Sequence, residues 1–124
     1  MKYKITWEKK LVCVDYFGEV TNKDIETAHF ELNGDDRFYA CDYLILNASE
    51  CDLSAVSVPG LFRVIGTDLG ATRTNQTLKV AMVTTSSINI ERIKEYIERN
   101  RALNTPWEFK MLPSVEEAKK WFGV

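Results

Sequence analysis

Apolar and polar residues alternate in blocks along the chain, and five of these blocks predict β-strands. The runs at residues 3–7 and 11–17 are rich in β-branched and aromatic residues and are separated by three charged residues, which predicts a hairpin. The runs at 43–48 and 78–85 are almost wholly apolar, as expected of strands covered on both faces. Residues 107–112 alternate and predict an edge strand.

Four further segments have the apolar spacing of helices. Thr21 or Asn22 can cap the first helix, and Ser114 with Glu117 forms a capping box for the last one. The second helix is predicted from Val58 to Gly70, with Pro59 in its first turn, and the third covers 88–103. The predicted core positions are Ile25, Ala28, His29 and Leu32 in the first helix, Leu61, Ile65 and Leu69 in the second, Ile90, Ile93 and Ile97 in the third, and Val115, Ala118, Trp121 and Phe122 in the last.

The resulting order β-β-α-β-α-β-α-β-α predicts an α/β fold. Strands that alternate with helices form mostly parallel sheets with right-handed crossovers, and the opening hairpin makes the first, edge strand antiparallel. We therefore expect a single domain over 1–124, with a five-stranded, mostly parallel sheet and four helices.

Composition narrows the function classes. A net charge of −2 and a pI of about 5.5 argue against nucleic-acid binding. No apolar segment is long enough to span a bilayer and no signal peptide is evident, so we expect a cytoplasmic protein. Three cysteines and a single histidine form no common metal motif, and no nucleotide-binding loop occurs, so no metal or cofactor is predicted.

The polar segment after residue 48 is the main candidate site. Ligands of open α/β sheets bind beyond the carboxyl ends of the parallel strands, near helix starts that attract anions. On this reasoning a ligand site is predicted at Asn47, Ser49, Ser54, Ser57, Gly60 and Thr84. The alternative is that these residues only cap helices and form turns, with Gly60 allowing a close approach of its helix to another backbone.

Several features of this sequence resemble the STAS superfamily of anti-anti-sigma factors, and especially its SpoIIAA-like bacterial branch. The resemblance covers essentially the whole chain. It rests on the element order, on the passage from "YLILNASECDLS" into "VPGLFRVIG", on the strand "LKVAMVTT" and on the ending "WEFKMLPSVEEAKKWF". It implies a non-enzymatic regulatory module that contacts a protein partner or a second copy of itself.

The phosphorylation motif of that superfamily is altered here. In anti-anti-sigma factors a partner kinase phosphorylates the serine just before a glycine at the start of this helix. Aligned on Gly60, the acceptor position is Pro59, and Asn47 replaces the usual aspartate. The resemblance therefore implies the fold without the switch, and Ser54 and Ser57 are the possible displaced acceptors.

Other residues are candidates for contacts. Phe62, Arg63 and Arg73 are predicted to form an interface along the second helix and its following loop, and Phe30, Phe38 and Tyr39 are a second aromatic group. The related architecture of CRAL-TRIO lipid-binding proteins suggests an alternative, the binding of a small apolar ligand. His29 is expected to be a buried, hydrogen-bonded residue, and no catalytic constellation is found.

Overall fold

The computed structural model describes residues 2–124, apart from the side chain of Val58. One five-stranded sheet has the order β1-β2-β3-β4-β5, in which β1 is antiparallel to β2 and the other neighbours are parallel. This confirms the predicted α/β architecture and its element order. The strands are β1 (Tyr3–Trp7), β2 (Leu11–Glu19), β3 (Tyr43–Asp52), β4 (Lys79–Val83) and β5 (Glu108–Leu112), and the helices are α1 (Asn22–Asn33), α2 (Val58–Ala71), α3 (Ser87–Ala102) and α4 (Val115–Phe122).

The two faces of the sheet are covered unequally. Val12, Val14, Leu44, Leu46 and Val80 belong to the large apolar cluster that also includes residues of α1, α2 and α3. Their neighbours in the strands belong to a smaller cluster with Ala118 and Phe122 of α4. The side-chain alternation of each strand therefore sends one set of residues towards three helices and the other set towards a single helix.

The segment at residues 42–66 folds as predicted in its core. Leu44 and Ile45 of β3 and Leu61 and Ile65 of α2 are all buried. However, β3 is longer than predicted and ends at Asp52, not at residue 48. After an irregularity between Asp15 and Phe17, β2 and β3 pair again over residues 17–19 and 50–52, so pairing with a neighbour extends both strands through polar residues.

Two further predictions need correction. Gly70 does not end α2, because the helix continues to Ala71 and the Thr72 amide still donates to the Asp68 carbonyl at 2.9 Å. A 3₁₀ helix at Asp36–Ala40, placed in a turn by the sequence reasoning, buries Phe38 in the core. Asp35 begins this turn by accepting from the Arg37 amide at 2.9 Å, and bonds to Arg37 lower the pKa of the Asp35 carboxyl to about 2.

Candidate functional site

The start of α2 is held by the start of α1. Ser57 is the N-cap of α2, and its backbone amide donates to Asn22 Oδ1 at 2.8 Å. Asn22 Nδ2 donates in return to the Ser57 carbonyl at 3.1 Å, and the Ser57 hydroxyl lies 3.1 Å from Asn22 Oδ1. A side-chain amide thus satisfies both backbone groups of the cap, which fixes where the helix begins.

Gly60 makes this contact possible. A Cβ atom added at Gly60 would lie 2.2 Å from Asn22 Nδ2 and 2.8 Å from Asn22 Cβ. The sequence reasoning suggested that Gly60 allows the close approach of a backbone. The group that approaches is instead the side chain of Asn22, whose role was not predicted.

The predicted ligand residues do not meet at one point. Asn47 donates to Asp15 Oδ1 at 2.7 Å and accepts from the Ser49 amide and hydroxyl at 3.1 and 2.7 Å. Asn47 is two residues after Ile45, which packs on the α4 side of the sheet, so Asn47 belongs to that face and Ser57 lies across the sheet at α2. The sequence reasoning placed Asn47 and Ser57 in one group because both follow a strand, but the two residues lie on opposite faces of the sheet.

Thr84 is buried at the end of β4 and has local partners. Its hydroxyl donates to the Ala48 carbonyl at 3.4 Å and accepts from the Ser86 amide at 3.3 Å. Next to it Asn89, also buried, donates to the carbonyls of Ala48 and Cys51 at 3.1 and 2.9 Å and accepts from the Leu53 amide at 2.9 Å. Asn89 therefore ties the end of β3 to α3, a role that the sequence reasoning missed.

Ser54 lies in the exposed turn between β3 and α2. Its backbone amide donates to Asp52 Oδ1 at 2.8 Å, and its carbonyl lies 3.5 Å from a terminal nitrogen of Arg92. Asp52 therefore stabilises the turn from within, and Arg92 of α3 contacts the turn from outside.

A polar network lies inside the molecule, between α1, α2 and α3. Asp68 is buried with 1% exposure, His29 with 2% and Tyr96 with 4%. Asp68 accepts from the Tyr96 hydroxyl, has its other oxygen 2.9 Å from His29 Nδ1, and also accepts from Asn33 Nδ2 at 3.3 Å. His29 is thus the buried, hydrogen-bonded residue that was expected.

Asp68 was missed although the sequence contained a signal for it. It follows Leu61 by seven residues and Ile65 by three, so it lies on the buried stripe of α2. A charged residue at such a position requires buried partners.

Asp68 also affects two buried tyrosines. Burial is the larger cause and the Asp68 carboxylate the second cause that raises the pKa of Tyr96, and the same two causes raise the pKa of Tyr16. Both phenols therefore remain protonated at neutral pH.

A small, partly open and mostly apolar pocket lies beside this network. Its volume is about 50 Å³, and it is lined by the carboxyl-terminal halves of the central strands, the turn before α2 and the three helices on that face. Pockets for drug-sized ligands measure roughly 300–1,000 Å³. A lipid-sized ligand would therefore require this part of the fold to open.

The predicted interface residues lie at two ends of α2. Phe62 is 52% exposed, and the Arg99 guanidinium of α3 lies 4.9 Å from the centre of its ring. Arg63 is exposed and borders a groove with Asn22 and Pro59. Arg73 is exposed beyond the other end of the helix, roughly 15 Å further along at 1.5 Å per residue. Of the second aromatic group, Phe30 and Tyr39 are exposed and Phe38 is buried.

The cysteines have the properties of structural residues. Burial raises the pKa of the Cys13 thiol to about 12 and that of Cys51 to about 11, with neighbouring aspartates adding to both shifts. Thiols of this kind are weak nucleophiles at neutral pH. Within residues 2–124, no group of three or more His, Cys, Asp or Glu is arranged to hold a metal ion.

Comparison of the fold with solved structures identifies its type. The chain is similar to a protein of the DUF3478 family with a SpoIIAA-like fold from Shewanella loihica PV-4, with TM-score 0.53, 18% identity, and coverage of 96% of this chain and 90% of that one. It is also similar to the anti-sigma factor antagonist SpoIIAA in its unphosphorylated form, with TM-score 0.63 and 13% identity. That match covers 98% of this chain and 97% of the other. The third similar structure is the phosphorylated form of the Bacillus cell fate determinant SpoIIAA, with TM-score 0.57 and 14% identity. That match covers 97% of this chain and 98% of the other.

These similarities confirm the predicted SpoIIAA-like fold. A scan against family models and a search of curated proteins found no match. Among the described residues, no helix combines the length and the apolar character needed to cross a bilayer.

Proposed function

We propose that this chain is a STAS-type regulatory module that acts by protein contact and is not an enzyme. One of the similar structures is described as an anti-sigma factor antagonist, a name that denotes action on another protein. The observation that carries the proposal is the exposed aromatic and cationic surface at the start of α2. We call Phe62, Arg63 and Arg99 the α2 surface.

The α2 surface has the composition of a protein-binding site. Aromatic residues and arginine supply most of the binding energy at protein interfaces. Phe62 is half exposed, and Arg99 is held against its ring while bonding to Glu95 at 2.9 Å. Side chains that already touch each other lose less conformational entropy when a partner binds.

The proposed contact is not controlled by phosphorylation at the usual position. Pro59 has no hydroxyl group, and the Ser57 hydroxyl already donates to Asn22 Oδ1 at 3.1 Å and accepts from the Gly60 amide at 3.4 Å as the helix cap. Both displaced serines, Ser54 and Ser57, are exposed. We propose that partner binding at the α2 surface is regulated by some means other than a phosphoserine at the helix start.

The buried groups support a non-enzymatic role. Asp68, His29 and Tyr96 satisfy one another within the core, and the cysteine thiols are kept protonated by burial. Catalytic acids and bases need access to a substrate and pKa values near the working pH. The protein partner is either a different chain or a second copy of this one, and we expect it in the cytoplasm.

Site-specific photo-cross-linking tests the proposal. A photoreactive amino acid placed at Phe62 should give one adduct of defined mass in cells, and that adduct should disappear when Arg63→Glu is added. The matched control carries the photoreactive residue at Phe30, which is 76% exposed but lies on α1. Light scattering of the purified chain then separates self-association from binding of a different protein.

Two results would contradict the proposal. One is a monomeric chain that gives no adduct from position 62. The other is an adduct that forms equally from position 30 and survives Arg63→Glu, because such labelling does not depend on the α2 surface.

A further inference from the structure

We propose that the free edge of β5 binds an extended, acidic segment of another protein, which adds to the sheet as a sixth strand. This edge is separate from the α2 surface, and binding here does not depend on contacts made there. β5 is the last strand in the order of the sheet and pairs with β4 on one side. An edge strand presents backbone donors and acceptors to a chain that lies beside it.

The backbone groups of Phe109 and Met111 point away from the sheet. The Glu108 amide donates to the Leu78 carbonyl at 3.1 Å, so the backbone of Glu108 faces β4. Because this direction alternates from one residue to the next, Phe109 and Met111 direct their N–H and C=O groups outwards. The Phe109 carbonyl makes a weak contact of 3.5 Å with a terminal nitrogen of Arg101. These outward groups are the main-chain partners that an added strand requires.

A groove lies along this edge, between β5 and α3. Its volume is about 350 Å³, at the lower end of the roughly 300–1,000 Å³ of pockets that hold small ligands. The buried residues Ile97 and Phe109 and the half-buried Met111 form its apolar part. Proteins that bind extended peptides by strand addition use main-chain bonds to an edge strand and a pocket for alternate side chains. β5 and the groove together supply both elements.

Prolines on either side of β5 limit the length of the added segment. Pro106 and Pro113 have no backbone N–H to donate, and β5 covers the five residues Glu108–Leu112. At about 3.3 Å per residue, the pairing extends over roughly 17 Å. The segment that fits is therefore short.

Cationic side chains surround the groove. Lys94 and Arg101 of α3 and Lys110 of β5 line it, together with the single carboxylate of Glu98. Within residues 2–124, none of the three cations forms an ion pair. Lys110 Nζ lies 5.8 Å from the centre of the Trp121 ring, so positive charge is present on the α4 side of the strand as well. Because complementary charge sets the choice of partner at an interface, the occupant should be acidic.

The same charges disfavour a second copy of this chain as the occupant. If two β5 edges paired with each other, each would bring its own Lys94, Arg101 and Lys110 to the contact. Like charges placed opposite each other destabilise paired strands. A different protein with carboxylates in an extended segment avoids this repulsion.

The other edge of the sheet, at β1, is in contact with side chains of the protein itself. The Tyr3 hydroxyl donates to Glu31 of α1 at 2.8 Å, and the guanidinium of Arg37 lies 4.6 Å from the centre of the Trp7 ring. The two edges therefore differ, and β1 provides a control for β5.

Titration of the full chain with synthetic peptides tests the site. The probes are acetyl-Asp-Val-Glu-Val-Asp-amide and its cationic counterpart acetyl-Lys-Val-Lys-Val-Lys-amide. The backbone amide signals of Ile97, Phe109 and Met111 are followed by NMR. We expect saturable shifts with the acidic peptide and an affinity lower by about tenfold or more for the cationic one.

Methylation of the peptide backbone tests the main-chain pairing. One acidic peptide is N-methylated at both valines, and a matched one at the glutamate and the second aspartate. Alternate N–H groups of a strand point to opposite sides, so only one of the two patterns removes the donors that face β5. We expect that pattern to abolish binding and the other to change the affinity by less than about threefold.

Variants of the chain test the charges. The double variant Lys94→Gln and Arg101→Gln should weaken binding of the acidic peptide by about tenfold or more. Lys4→Gln, which removes an exposed lysine from β1, should leave the affinity unchanged. All three side chains are exposed, and the NMR spectrum of each variant reports its fold.

The proposal is overturned if the acidic peptide gives no saturable shift at the three residues or if the cationic peptide binds as tightly. Equal effects of the two methylation patterns would rule out strand addition, and equal effects of Lys4→Gln and the double variant would rule out the cationic groove. Shifts of the same signals on dilution of the chain without peptide would identify a second copy as the occupant. Cross-linking from position 62 reports on the α2 surface, so each of the two proposals can fail alone.

Discussion

The substitution Gly60→Ala tests the clamp between α1 and α2. The new Cβ would lie 2.2 Å from Asn22 Nδ2 and 2.3 Å from Asn22 Cγ, so Asn22 must move. Moving it breaks the 2.8 Å bond from the Ser57 amide and the 3.1 Å bond to the Ser57 carbonyl. We expect Gly60→Ala to destabilise the protein although alanine favours helices more than glycine does.

The magnitude follows from three contributions. Each lost hydrogen bond costs about 0.5–1.5 kcal/mol, overpacking adds about 1 kcal/mol or more, and the helix propensity of alanine returns up to about 1 kcal/mol. The net loss in the free energy of unfolding should be about 2 kcal/mol, which for a chain of this length lowers Tm by roughly 8 °C. Urea unfolding followed by circular dichroism measures it.

Gly66→Ala and Gly70→Ala are matched controls on the same helix. A Cβ atom at either position meets nothing within 4 Å, so these variants should be neutral or slightly more stable. Shortening the obstructing side chain by Asn22→Ala should make a subsequent Gly60→Ala nearly harmless. If Gly60→Ala is as stable as Gly66→Ala in the native background, the steric argument is wrong.

Further predictions concern the buried polar groups. Asp68→Ala should lower the free energy of unfolding by about 3 kcal/mol or more, because His29 and Tyr96 lose a buried partner; a loss below about 1 kcal/mol in urea unfolding would contradict this. Because the pKa values of Tyr16 and Tyr96 are raised in the fold, the unfolded chain releases protons first as the pH rises past about 10. Stability should therefore begin to fall near pH 10 and continue to fall as the pH rises further, and Tyr16→Phe or Tyr96→Phe should make the fall shallower. Asn89→Ala should cost about 2 kcal/mol or more by removing the Asn89 side-chain bonds to the Ala48 and Cys51 carbonyls and the Leu53 amide, whereas the exposed neighbour Ile88→Ala should cost little in the same assay. Cys13 and Cys51, with pKa values of about 12 and 11, should react with iodoacetamide far more slowly in the folded than in the urea-unfolded protein; equal rates would refute their assignment as partly buried structural residues.

The sequence predicted most of the architecture because periodicity is a local property. The alternation in the strands and the 3.6-residue spacing in the helices depend only on near neighbours along the chain. Leu61 and Ile65 were assigned to the core correctly for this reason. The end of β3 was wrong by four residues because pairing with β2 extends the strand through Ser49, Glu50, Cys51 and Asp52, whose side chains alone favour a loop.

The candidate site was less predictable because its contacts join residues far apart in sequence. Asn22 and Ser57 are 35 positions apart, and His29 and Asp68 are 39 apart. Asp68 could have been noticed from its place on an apolar stripe, but its partners could not. Asn47 and Ser57 looked equivalent as polar residues after a strand, and the pleat assigned them to different faces.

By itself, the sequence determined the kind and order of the elements, the capping of the first helix by Thr21 or Asn22 and of the last by Ser114, and the presence of proline, not serine, before Gly60. These properties follow from side-chain chemistry and spacing within a few residues. Only the tertiary structure decided which polar groups find partners in the core and which, like the Tyr16 hydroxyl and Arg92 Nε, are buried without one among the described residues. Whether a buried hydrogen bond forms depends on the distance between two elements, and that distance is set by the packing of the whole domain.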